Sequence, residues 1–218
     1  MTGPLTIDEL RVADEPSSWA SAGFTVKDDL CRVGSVRVRL LGRTAGKGVV
    51  GWSLRGVPES SYDDVSAHGL DGMPTTVSTA PPCEPAEHAI GATHLDHVVL
   101  MSPDLDRTRA VLGDLGLEER RARDAEIKGA PMRQVFYRLG EVVLELVGSP
   151  DAHGQGPAHV WGLTHCVSDL DAAAALLGNR AGRVKDAVQP GRRITTLRTR
   201  DLGISVATAL MSPRPAAT

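Results

Sequence analysis

The sequence predicts an α+β fold built from repeated β-α-β-β-β units, with an additional degenerate unit at the N-terminus. Three observations predict it. Leu95 to Leu100 is a short, apolar, β-branched run of strand length. Ser-Pro-Asp and a helical apolar stripe follow it, and then three more strand-like runs. The same order returns after Pro157 and, more weakly, before Pro58.

Leu5 to Val12 reads as the first strand. Asp14-Glu15-Pro16 reads as a helix start, with Asp14 as N-cap and proline in the first turn. That helix runs to Ala22 and stops at Gly23, and Phe24 to Lys27 continues extended. Val36 to Leu40 alternates apolar and basic residues, as a half-exposed strand does, and Val49 to Leu54 is another strand. Residues 1–57 thus form the degenerate module, with Trp19 and Trp52 available to cover its apolar face. Residues 58–93 are rich in Pro, Gly, Ser and Thr, lack a sustained period, and read as a linker. His68 and His88 within it read as solvated.

Residues 94–212 hold the paired modules. Asp104 caps a helix over Leu105 to Leu115, which Gly116 ends. Glu118 to Arg123 is a charged strand. Val135, Tyr137 and Leu139 alternate with Phe136 and Arg138, and Glu141 to Val147 closes the module. Trp161 to Val167 opens the next one. Ser168-Asp169 caps a helix to Leu177, closed by Gly178. Strands at 183–189, 192–199 and 204–211 complete it, and residues 213–218 form a loose tail.

A chain of 218 residues suffices for one sizeable domain or two small ones. Aromatics are only 3%, so Val, Leu, Ile and Ala must pack the core. The net charge of −3 gives no pull toward nucleic acid or an anionic membrane. Cys31, Cys83 and Cys166 are odd in number and show no C-x-x-C spacing. Neither a secretory h-region nor an apolar run of the roughly 20 residues needed for a membrane helix is visible. A reduced, cytoplasmic setting with free thiols is expected. There is no Gly-x-Ser-x-Gly, phosphate-binding loop or dinucleotide fingerprint.

Three stretches carry a resemblance. LDHVVLMSPDLD at 95–106, LGEVVLELVG at 139–148 and WGLTHCVSDLD at 161–171 together resemble the vicinal-oxygen-chelate superfamily, the glyoxalase and bleomycin-resistance fold. The resemblance covers 94–212 by motif and 1–57 by pattern alone. It implies that paired modules form an open, U-shaped sheet with a metal and substrate site in its concave cleft. In metal-using members each module gives one ligand from its first strand and one from its last.

On that scheme His97 and Glu145 are the ligands of the central module, with Glu145 as ligand or catalytic proton-transfer base. A carboxylate between Val143 and Val147 needs a partner, and His97, read on the face of Leu95 and Val99, is the natural one. In the last module, setting Asp169-Leu170-Asp171 on Asp104-Leu105-Asp106 matches Gly162 to His97. His165 then lies three residues off, on the opposite face, unless a bulge returns it to the cleft. Returned, it completes a 2-His-1-carboxylate set with His97 and Glu145. Setting Leu202-Gly203 on Leu139-Gly140 matches Thr208 to Glu145. In the first module Glu9 matches His97 and Ser53 matches Glu145. Gln134, Tyr137, Gly162 and Thr208 are the expected substrate-binding positions. The pairs Arg120-Arg121 and Arg192-Arg193 either meet an anionic substrate or are solvated strand faces.

Two functions stay open. One is a glyoxalase-like lyase or isomerase acting on a small oxygenated metabolite with one divalent metal ion. The other is a metal-free module of the same fold that sequesters an apolar or aromatic compound. Both expect a small-molecule ligand and neither nucleic acid nor membrane. The 1–57 module either packs across a homodimer or caps the cleft of its own chain.

Overall fold

The computed structural model describes residues 3–127 and 129–215, which form a six-stranded and an eight-stranded sheet. The first sheet is built from β1 (Thr6–Val12), α1 (Pro16–Ser21), β2 (Val26–Lys27), β3 (Leu30–Val33), β4 (Val36–Leu40), β5 (Val49–Arg55), α2 (Tyr62–His68) and β6 (Thr75–Val77). The second is built from β7 (Ala92–Met101), α3 (Leu105–Asp114), β8 (Arg121–Ile127), β9 (Ala130–Leu139), β10 (Val142–Gly148), β11 (His159–Val167), α4 (Leu170–Leu177), β12 (Lys185–Asp186), β13 (Arg193–Thr196), α5 (Thr199–Leu202) and β14 (Ala207–Met211). The strand orders are β2-β3-β4-β1-β5-β6 and β12-β13-β14-β11-β7-β10-β9-β8.

The two orders share a central pattern. β4 is parallel to β1, β1 antiparallel to β5, and β5 parallel to β6. Likewise β10 is parallel to β7, β7 antiparallel to β11, and β11 parallel to β14. Val49–Arg55 therefore opens a second N-terminal unit rather than closing the first. The stretch read as a 58–93 linker supplies that unit's helix, α2, and its last strand, β6. Neither has the length or period that marks an element in sequence: β6 is three residues long.

Helices α3 and α4 start as expected. Asp104 accepts from the Arg107 N–H, and Asp169 accepts from the N–H groups of Asp171 and Ala172, all at 3.0 Å. Replacing Asp169 by alanine should cost about 1 kcal/mol, read as a lowered urea midpoint at unchanged slope. Asp14 does not cap α1. It is fully buried, accepts from Trp19 Nε1 at 3.0 Å and from the Ser205 N–H at 2.7 Å, and so ties the first sheet to the second. The Gly48 N–H adds a 2.7 Å bond to Ser205 Oγ. Ser35 adds two bonds to Glu141 Oε1, at 2.8 and 2.6 Å. The N-terminal sheet thus packs within its own chain, and one continuous core of mainly Val, Leu and Ile, with Trp19 and Trp52 inside it, serves both sheets.

No helix among the described residues is long and apolar enough to cross a membrane. Of the tail read as loose, residues 213–215 lie over the 189–191 turn, where Pro215 Cγ comes within 2.7 Å of the Cβ position at Gly191. Residues 216–218 lie outside the described residues.

Candidate functional site

Pairing register decides which side chains enter the concave face of the larger sheet. His97 pairs with Val143 on β10 and with Thr164 on β11, so all three face one way. Glu145 lies two residues beyond Val143 and pairs with Val99, which puts it on the same face. His97 and Glu145 accordingly line a cleft of about 520 Å³, together with Val99, Met101, Met132 and Ile194.

Two β-bulges shape this cleft. On β7, Thr164 pairs with His97 and the next residue, His165, pairs with Leu95, so Asp96 is the extra residue. Leu95 is thereby on the opposite face from His97, contrary to simple alternation. Asp96 comes to lie beside His97, and its Oδ2 is 3.0 Å from His97 Nδ1. On β11 the extra residue is Trp161, which leaves its indole 57% exposed at the wall of the cleft.

Asp96 and Arg192 are both nearly fully buried and make a 2.8 Å ion pair. Arg192 Nε also donates to the Ser212 carbonyl at 2.9 Å. Burial pushes the Asp96 carboxyl up, but hydrogen bonds from His97 and Arg192, with their charges, outweigh it and hold the group at about 2. An ionised carboxylate only accepts, so His97 carries its proton on Nδ1. Nε2 is then the ring atom free to accept a proton or a hydrogen bond.

The partner of Glu145 is not His97. Gln134 Nε2 donates to Glu145 Oε1, and Gln134 Oε1 accepts from Arg123 Nε at 2.7 Å. The relay Arg123–Gln134–Glu145 crosses β8, β9 and β10 on the cleft face and relieves the cost of a half-buried carboxylate.

The other expected site residues divide. Gln134 and Gly162 line the cleft. Tyr137 pairs with Leu144 and therefore faces the other side of the sheet, where it is buried and its hydroxyl donates to Glu119 at 3.3 Å. Burial, with the Glu119 charge beside it, pushes that phenol up. His165 is not a cleft residue. It is fully buried on the opposite face of β11, against Phe24 and Trp19 at ring-centroid distances of 4.9 and 5.9 Å. Neither bulge turns it round, because one adds its residue to β7 and the other precedes Gly162.

Thr208 borders the cleft, but its hydroxyl donates to the Val206 carbonyl at 3.0 Å. Register gives a different counterpart of Glu145. Val143 pairs with His97 and Ala207 pairs with Gly162, so the residue two beyond, Ala209, matches Glu145. The same reasoning applied to β1, β4 and β5 matches Glu9 to His97 and Arg39, not Ser53, to Glu145. Glu9 and Arg39 form a 2.9 Å ion pair, and Asp8 is the bulged residue equivalent to Asp96.

A second hollow, of about 400 Å³, adjoins the cleft and shares His97 and Glu145 with it. Arg121, Arg192, Arg214 and Gln189 line it. The Arg121 guanidinium lies over the Phe136 ring, 4.9 Å from its centroid.

Comparison with known proteins fits this geometry. A family model described as the glyoxalase/bleomycin resistance protein/dioxygenase superfamily matches residues 96–196. No curated protein gives a match. Among solved structures, a mutant of 4-hydroxymandelate synthase from Streptomyces coelicolor is similar over 100% of this chain and 95% of that one, at 16% identity and a TM-score of 0.65. A catechol 2,3-dioxygenase is similar over 100% of this chain and 90% of that one, at 13% identity and a TM-score of 0.60. Methylmalonyl-CoA epimerase from Mycobacterium tuberculosis covers 57% of this chain and 91% of its own, at 21% identity and a TM-score of 0.45. The first two likenesses extend over both sheets and concern the fold alone.

The metal site that the resemblance in sequence implies can be tested against this donor set. The four register-equivalent positions hold His97, Glu145, Gly162 and Ala209, of which only two carry a ligating atom. A protein zinc site uses at least three protein ligands. Among the described residues, no three His, Cys, Asp or Glu side chains are grouped to hold a metal ion. The residues present therefore do not fit the four-ligand metal. Residues 96–196 thus match the glyoxalase/bleomycin resistance protein/dioxygenase superfamily, and the fold over both sheets is similar to that of the synthase and the dioxygenase above.

Proposed function

We propose that this protein binds a small molecule in the concave cleft of 94–212 without a metal ion. The observation that carries this reading is the pair Gly162 and Ala209, neither of which carries a ligating atom where the other half of a ligand set would stand. The remaining wall is largely apolar, with His97, Glu145 and Gln134 among the polar groups that orient a ligand. Such a surface suits a compound with an apolar body and one polar head.

Metal analysis of protein purified without an affinity tag tests this. The expected result is far less than one transition-metal ion per chain. Replacing Gly162→His together with Ala209→Glu should raise metal content to about one per chain, since three to four ligands suffice. A stoichiometric metal in the unaltered protein, lost on His97→Ala, would overturn the metal-free reading.

A second reading, a lyase or isomerase, is favoured by one feature. The Arg192–Asp96–His97 chain fixes the imidazole tautomer and leaves Nε2 as a base facing the cleft. Proton transfer from a carbon acid needs such a group and a second one, here Glu145, on the same wall.

A further inference from the structure

The hollow beside the cleft carries more charged side chains than the cleft itself. It is lined by three guanidinium groups, those of Arg121, Arg192 and Arg214, against two carboxylates, Asp96 and Glu145. Arg192 is committed to Asp96 and to the Ser212 carbonyl. Glu145 is held by Gln134. The Arg121 fork is set in place by the Phe136 face, and Arg214 reaches the hollow from the chain that lies over Gly191. The lining arginines outnumber the lining carboxylates by one, and the hollow shares His97 and Glu145 with the cleft.

We infer that this hollow is an anion subsite, and that the ligand of the cleft is an amphipathic monocarboxylate. Its apolar body lies among Val99, Met101, Met132 and Ile194, and its carboxylate lies between Arg121 and Arg214. A monoanion matches the charge balance; a phosphate dianion would leave the hollow net negative. A guanidinium presents a planar fork that fits a carboxylate in two bonds, and stacking on an aromatic ring limits what it loses on binding. The inference rests on the cleft reading above and names the ligand class for it.

Two fluorescent probes that share one ring system separate the two ideas. Dansylglycine carries a carboxylate and dansylamide does not. Fluorescence titration of the full chain should show dansylglycine binding at least tenfold more tightly than dansylamide. Arg121→Gln combined with Arg214→Gln should abolish that preference and leave dansylamide binding unchanged. The preference should also shrink as salt is raised. Equal affinity of the unaltered protein for both probes, or a preference that survives the double replacement, would overturn the anion subsite and leave the cleft standing. Failure of both probes to bind would overturn the cleft reading and the subsite with it. Both arginines are on the surface, so a circular dichroism spectrum matching that of the unaltered protein shows that the variant is folded.

Discussion

Replacing His165 by leucine is expected to make the protein more stable at neutral pH and less sensitive to acid. The imidazole is fully buried between the two sheets, and neither ring nitrogen has a hydrogen-bond partner. A buried donor or acceptor left unpaired costs about 1–3 kcal/mol, whereas an apolar group of similar size at the same place costs nothing of that kind. Leucine keeps the contact with Trp19 and Phe24, so a gain of about 1–3 kcal/mol at pH 7 is expected. Burial, with the neighbouring charges of His88, His97 and His94, pushes the His165 imidazole down to about 3. Its unfolded value is the ordinary one, 6.5. Between those values the unfolded chain binds the proton and the folded chain does not. Stability is therefore full above pH 6.5 and falls as the pH drops toward 3. From pH 7 to pH 5 this single group removes about 2 kcal/mol. Urea unfolding of the unaltered and His165→Leu proteins at both pH values measures it. The gap between the two proteins should widen by that amount on acidification; a constant gap would mean that His165 finds a partner in solution.

The outline of the site was legible in sequence, and its details were not, for identifiable reasons. His97 and Glu145 share a hollow because each sits in an apolar strand whose period-2 pattern fixes its face. Gln134 and Tyr137 are three residues apart on one strand, an odd number, so parity alone excludes both from the same cleft. Asp96 and its pairing with Arg192 were missed because a bulge is a property of two strands together. Nothing in LDHVVL says that β11 runs one residue short beside it. Ala209 in place of Thr208 is the same kind of error. Counting from Leu202-Gly203 assumes equal lengths from turn to strand, and one residue of difference moves the match to the other face. The second N-terminal unit escaped notice because its helix spans only seven residues and its last strand three.

Arg192→Met is expected to be among the most damaging single substitutions in the hollow beside the cleft. It removes the ion-pair partner of Asp96, whose side chain is 5% exposed, and leaves a buried carboxylate with only His97 to satisfy it. Removing one partner of a buried pair costs about 3–5 kcal/mol, most of it the desolvation of the charge left behind. The carboxylate can relieve that cost by taking up a proton, so the loss should shrink as pH falls. The sign in the unaltered protein runs the other way. Asp96 is held at about 2 against an ordinary 3.8, so its contribution is complete above pH 3.8 and is lost as the pH falls through 2. Adding Asp96→Asn to Arg192→Met removes the buried charge altogether. The double variant should recover more than half of the lost stability, because an amide can still accept from His97 Nδ1. Urea unfolding of the two single variants and the double variant at pH 7 supplies the cycle. Additive losses would show that Asp96 and Arg192 are stabilised independently, and His97 would then owe its tautomer to something other than this pair. A strongly non-additive cycle ties the stability of the second sheet to the group that orients the cleft imidazole. In that case the bulge at Asp96 is held by the same interaction that prepares His97 for its ligand.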